Sequence, residues 1–159
     1  MKKWVQSRRE SIDTISAIES SLGVSLNLQK SAQASCEEPA DDVVFVHLDG
    51  QVFVLSKGNY VPFLGSPEAL AHFPTAVVDE GAIKFLLNGA DVMRPGIRTL
   101  DQWGSAGKVV IVKEEKKGRA IAVGLSTVSS DEAHGMSKGS CLKNIHHVGD
   151  NYWSLYKQI

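Results

Sequence analysis

The sequence predicts an α+β chain in two pieces. A small N-terminal α/β domain spans residues 1–73, and a compact, partly closed barrel of five to six short strands with two short helices spans 74–159. Three observations carry this. One long helical stripe occurs, and it lies near the start. Short β-branched runs separated by turn residues crowd the second half. The charge changes sign at Phe73/Pro74: residues 1–73 hold six Lys or Arg against nine acids, a net −3, and residues 74–159 hold eleven against nine, a net +2.

The elements of the first domain follow in order. From Ser11, the apolar residues Ile12, Ile15, Ile18 and Leu22 recur every three or four positions, the stripe of an amphipathic helix that Gly23 ends. Val24, Leu26 and Leu28 alternate with polar residues and predict a half-buried strand. Residues 31–42 are polar, contain Pro39 and show no period, which predicts a loop. Val43–Leu48 and Gln51–Ser56 are strand-like runs joined by Asp49-Gly50, a hairpin turn in which both central residues take positive φ. Val61–Leu64 adds a short strand, and Ser66-Pro67 opens a helix that reaches only to His72.

In the second domain, Thr75–Val78 is a short strand, and Asp79 caps a helix over Glu80–Leu87 that Gly89 terminates. Val92-Met93 is extended and Pro95-Gly96 turns the chain. Strands at Lys108–Lys113 and Arg119–Leu125 flank a solvated, charged tip at Glu114–Gly118. Ser129-x-x-Glu132 is a capping box for a short helix ending near Gly135. Ser140–Val148 is a further strand, and Tyr152–Tyr156 is expected as a terminal strand with Trp153 in its core. Trp103 is expected to pack under a loop.

No stretch of 18 uninterrupted apolar residues occurs, so no membrane span is expected. Cys36 and Cys141 make no disulfide framework, and the N-terminus builds no apolar signal core, so a reducing, cytoplasmic location is expected. His134, His146 and His147 lie near Cys141, but the spacing fits no common zinc pattern, and neighbouring strand residues face opposite ways. One of His146 and His147 is therefore expected inside and the other outside, with no metal site. No nucleophile elbow or phosphate-binding glycine loop occurs. No cofactor and no catalytic residue is expected.

The run Val78-Asp79-Glu80-Gly81-Ala82-Ile83-Lys84-Phe85-Leu86-Leu87-Asn88-Gly89-Ala90-Asp91-Val92-Met93-Arg94-Pro95-Gly96-Ile97 resembles the opening of a PUA domain. Ala122-Val123-Gly124 resembles that family's central strand, and Ile145 to Trp153 resembles its closing strand and turn. More narrowly, Asp-x-Gly-Ala-Ile-Lys-Phe and Asn-Ile-His are similar to the malignant-T-cell-amplified-sequence family and its archaeal relatives. The resemblance implies a PUA pseudo-β-barrel. It also implies a non-enzymatic, RNA-binding translation factor on the small ribosomal subunit, which delivers or releases tRNA in reinitiation and post-termination recycling. A density-regulated-protein-like partner would be met through residues 1–73, and neither DNA nor membrane is expected. The alternative is a PUA-type accessory protein in tRNA or rRNA modification or ribosome biogenesis, for which 1–73 is too short to supply a catalytic domain.

Mapped on this sequence, the family's RNA surface takes Lys84, Asn88, Gly89, Ala90, Asp91, Val92, Met93, Arg94, Gly96, Lys143, His146 and His147. Gly89 and Ala90 lack bulk, so a nucleic-acid backbone can approach their amides. Lys84 and Arg94 supply cations for rRNA or tRNA phosphates, and Met93 offers an apolar floor to a base. Each position also has a purely structural explanation, as a helix end, a turn or core packing.

Overall fold

The structure, a computed structural model, describes all 159 residues, which form two compact units. One comprises Met1–His72 together with Asn151–Ile159, and the other comprises Phe73–Asp150.

The first unit is built on a five-stranded antiparallel sheet in chain order: β1 (Lys2–Val5), β2 (Ser35–Ala40), β3 (Val43–Leu48), β4 (Gln51–Ser56) and β5 (Asn59–Pro62). Asp49-Gly50 turns β3 into β4 with φ of 50° and 84°, as its type requires. Helix α1 (Arg8–Leu22) covers one face, with Ile18 packed among Cys36, Val46, Leu48 and Phe53. It begins three residues before the expected start, because Ser7 and Glu10 form a capping box there. Its buried stripe is rotated from the expected one. Ser11 and Thr14 face inward: Ser11 Oγ accepts from the Ala34 amide at 2.9 Å, and Thr14 Oγ1 donates to Gln6 Oε1 at 2.7 Å. Ile12 is left 57% exposed.

The other face is covered by α5 (Asn151–Tyr156), which replaces the expected terminal strand. Tyr152, Trp153 and Tyr156 fall on one side of a helix, and they pack on Phe45, Val52, Val54 and Phe63. Tyr156 meets Phe63 and Phe45 with ring centroids 4.4 and 5.0 Å apart. Residues 151–159 thus belong with the first unit, where a boundary at 73/74 had put them in the second.

Three further expectations fail here. Val24–Leu28 is not a strand: Asn27 turns left-handed at φ 55°, and the Leu26 amide donates to Glu19 Oε2 at 2.8 Å instead of to a ladder. The expected loop at 31–42 contains β2, whose Pro39 sits at a register break opposite β3, where its missing amide costs no ladder bond. Ser66 does not cap α2 (Pro67–Leu70): its hydroxyl donates to Gly50 O at 2.9 Å and accepts from the Val52 amide at 3.0 Å.

The second unit curls a six-stranded sheet around one core. The strands are β6 (Thr75–Val78), β7 (Val92–Met93), β8 (Ile97–Leu100), β9 (Val109–Glu114), β10 (Ala120–Ser126) and β11 (Ser140–His147), in sheet order β7-β11-β10-β9-β6-β8. All six contribute buried side chains to the same cluster, from Ala76 and Val92 through Ile97, Val110 and Ala122 to Leu142, which is the interior of a nearly closed barrel. Helices α3 (Glu80–Leu86) and α4 (Ser130–Gly135) close its rim, each with its expected cap. Strand β8 escaped the sequence reading. Trp103 packs in the core and donates from Nε1 to Val128 O at 3.0 Å. No helix is long and apolar enough to cross a membrane.

The Glu114–Gly118 tip is not merely solvated. Glu114 is buried, and it accepts from the Lys117 amide and from Arg119 Nε, 2.9 Å away. The Lys117 amide first, and the Arg119 guanidinium second, hold its carboxyl below the usual carboxylate range. A lowered native value means that the stabilisation is present above the unfolded carboxylate's ordinary 4.5 and is lost as pH falls through the native value. Glu114→Gln will therefore flatten the acid limb of a melting-temperature-against-pH curve. An unchanged acid limb would show that other carboxylates govern it.

Candidate nucleic-acid interface

The candidate site lies wholly in the second unit, on α3, the turn after it, β7 and β11. Asp79 starts it: its Oδ1 accepts from the Ala82 amide at 3.0 Å and fixes the helix start. Ala82, Ile83 and Leu86 then pack on the barrel core. The other side of α3 carries Lys84 and Phe85, and Phe85 is 64% exposed. After the helix, Gly89 reverses the chain at φ 89°, which a side chain would resist.

Asn144 of β11 holds this turn in place. Its Nδ2 donates to Leu86 O and Ala90 O, both at 3.0 Å, and its backbone amide donates to Asp91 Oδ1 at 2.9 Å. One side chain and one amide thereby tie three points of the turn to a barrel strand. The pinned turn and α3 enclose an open groove of about 390 Å³, whose walls are mainly Ala82, Phe85, Leu86, Met93 and Pro95. Met93 is 49% exposed. Asp79 and Asp91 also line the groove.

The structure distributes the twelve expected residues unevenly. Lys84, Asn88, Gly89, Ala90, Asp91, Met93 and Lys143 are exposed, and of these Ala90, Asp91 and Met93 line the groove. Gly96 lines the groove, and a Cβ there would stand 3.3 Å from Ala82 Cβ. His147 is half-buried; Nδ1 lies 2.9 Å from Val148 O, and Nε2 points toward Gly89. Three are turned inward. Val92 belongs to the barrel core and forms part of the groove's floor. His146 is the inner histidine of the pair, 1% exposed, with Nδ1 2.8 Å from Asp150 Oδ2. Arg94 is turned inward as a clamp: Nε donates to Ala133 O at 2.6 Å and Nη1 to Ile97 O at 3.2 Å. No group of three or more His, Cys, Asp or Glu stands together as a metal would need.

Two residues were missed. Phe85 was signalled by its position: an aromatic beside Lys84, off the stripe that Ala82, Ile83 and Leu86 define. Asn144 was signalled only as part of the Asn-Ile-His motif; its role as the pin of the turn was not readable, because it depends on three long-range bonds.

Chemically, the groove offers a flat aromatic ring and a thioether for stacking, with the carboxylates of Asp79 and Asp91 in its lining. It holds no nucleophile–base pair.

Residues 74–148 match the family model described as the PUA domain. The full chain superposes on a hypothetical protein from Pyrococcus horikoshii with a TM-score of 0.78 at 27% identity, covering 97% of this chain and 99% of that one. A conserved PUA-domain protein from Thermoplasma acidophilum shares the fold, with a TM-score of 0.74 at 23% identity over 96% and 98% of the two chains. An uncharacterized Methanocaldococcus jannaschii protein is 46% identical over 79 residues, 50% of this chain and 49% of that one, so the match spans about half its length. Translation machinery-associated protein 20 of Saccharomyces cerevisiae is 31% identical over 139 residues, 80% of this chain and 75% of the yeast protein. Malignant T-cell-amplified sequence 1-A of Xenopus laevis is 36% identical over 85 residues, 52% of this chain and 47% of the frog protein. With a match that runs through both units, the chain belongs to the family of translation machinery-associated protein 20, with a PUA domain over residues 74–148 and a likeness to the malignant T-cell-amplified sequence proteins.

Proposed function

We propose that this chain is a non-enzymatic, RNA-binding factor of the translation machinery. It binds the small ribosomal subunit and takes part in delivering or releasing tRNA during reinitiation and post-termination recycling. The second unit carries the RNA contact, and residues 1–73 meet a density-regulated-protein-like partner. The observation that supports this most is the apolar groove at whose mouth Phe85 and Met93 stand open, a stacking surface on a domain of net positive charge. A buried core has no need of a 64% exposed Phe at the mouth of a groove. The similarity to translation machinery-associated protein 20 supplies the setting.

The purified protein is expected to bind small ribosomal subunits and deacylated tRNA, more weakly as salt rises. Binding to neither at low salt would refute the proposal. Within it, Phe85→Ala will weaken RNA binding roughly 5- to 150-fold, the worth of about 1–3 kcal/mol for one stacked base. The same change will leave the melting temperature nearly unmoved, because the ring is mostly in solvent. Unchanged RNA affinity in Phe85→Ala would place the contact elsewhere.

A further inference from the structure

The edge of the first unit's sheet has features that neither the core nor the groove explains. Strand β1 is the outermost strand, paired only with β2, and every residue in it is exposed. The Gln6 amide bonds to Ala34 O at 2.9 Å, so the alternation of an antiparallel ladder turns Trp4 and Lys2 toward β2 as well. Lys3 and Val5 then direct their amides and carbonyls away from the sheet. These are unpaired strand groups at the spacing that another strand needs.

The side chains around this edge are equally unusual. Trp4 lies opposite Cys36, on the face that α1 covers, and is 40% exposed. Val5 lies on the other face and is 66% exposed. Ile12, on the solvent side of α1, is 57% exposed. Among them stand Lys2, Lys3, Arg8 and Arg9; Lys2 pairs with Glu38 of β2 at 3.8 Å, and the carboxylate of Glu10 is committed to the Ser7 amide, which leaves Lys3, Arg8 and Arg9 as the cations of this end. This basic end belongs to a domain whose net charge over residues 1–73 is −3.

We infer that β1 is the docking edge for an extended, acidic segment of a partner protein, which adds a sixth strand to the sheet. This rests on the reading that the first domain meets a protein partner. Backbone pairing to Lys3 and Val5 supplies the register, and apolar residues of the segment cover Trp4 on one face and Val5 on the other. Its carboxylates meet Lys3, Arg8 and Arg9. A second copy of this chain fits poorly, because antiparallel pairing of two β1 strands gathers Lys2 and Lys3 of both copies at one edge. Single-stranded RNA would stack on Trp4 but would leave Val5 and the open backbone groups unused.

The test uses the full-length protein and a blocked peptide of alternating Glu and Val, followed by amide exchange and chemical shifts up to millimolar peptide. The expected result is protection of the Lys3 and Val5 amides, with affinity falling as salt rises and vanishing for a peptide N-methylated along one edge. Lys3→Pro removes one outward amide without touching the β2 ladder and is expected to weaken the peptide about five- to tenfold. The inference is overturned if the peptide leaves Lys3 and Val5 unprotected. It is equally overturned if oligouridine protects them in its place, or if the protein alone protects them by dimerising. RNA binding through Phe85, measured on the same samples, separates the two readings. Lost peptide binding with intact RNA binding removes only the docking edge, and loss of RNA binding falls on the proposed function.

Discussion

A chain ending at Asp150 will lose the fold of the first unit. Helix α5 is the cover for one entire face of its sheet, where Phe45, Val52, Val54 and Phe63 lie under Tyr152, Trp153 and Tyr156. Re-exposing four such side chains costs about 1.5–3 kcal/mol each. The sum, about 6 kcal/mol or more, rivals the whole stability of an ordinary domain, about 5–15 kcal/mol. Hydrogen exchange will show the amides of β3 and β4 unprotected in the truncated chain and those of β9 and β10 still protected. A milder change, Tyr156→Ala, removes the ring that touches both Phe63 and Phe45 and will cost about 2–4 kcal/mol. Full protection of β3 and β4 after truncation would make α5 a surface appendage.

That prediction turns on the element the sequence disguised most. Tyr152–Tyr156 is short, aromatic and flanked by turn residues, which suits a strand as well as a single helical turn. What decides between them is the apolar face left open by β3 and β4, about a hundred residues earlier in the chain. The hairpin at Asp49-Gly50, the cap at Asp79 and the box at Ser129–Glu132 were legible because each is settled within four residues. The box at Ser7–Glu10 was equally local and was overlooked in favour of the apolar stripe. Strands β1 and β2 were hidden for a physical reason. β1 is the edge strand, exposed throughout, and β2 beside it buries only Cys36 fully, so packing demands little alternation of either. In the candidate site, the groove's backbone was readable from the Gly-Ala and Pro-Gly pairs. The inward turn of Arg94 was not, because its acceptors lie 39 residues away and three residues away in the chain.

Arg94 gives the second large effect. A guanidinium next to a candidate RNA groove invites a phosphate contact, and on that basis its removal should weaken binding without harming the fold. The geometry argues the opposite. Nε and Nη1 are spent on Ala133 O and Ile97 O, and they tie α4 and the start of β8 to the turn that carries Met93. Bonds from a charged donor are worth about 1.5–3 kcal/mol each, and Ala133 O keeps a second donor in the Met136 amide. Arg94→Met, which keeps the length of the side chain, will therefore destabilise the second unit by about 2–4 kcal/mol, read as a shift of the denaturant midpoint. Lys84→Gln is the contrast: its exposed ammonium will leave that midpoint in place and will lower the salt slope of RNA binding by about 0.7 if it meets one phosphate of a single strand. Should Arg94→Met instead keep wild-type stability while lowering the salt slope, the arginine leaves its carbonyls to meet RNA, and the clamp assignment fails.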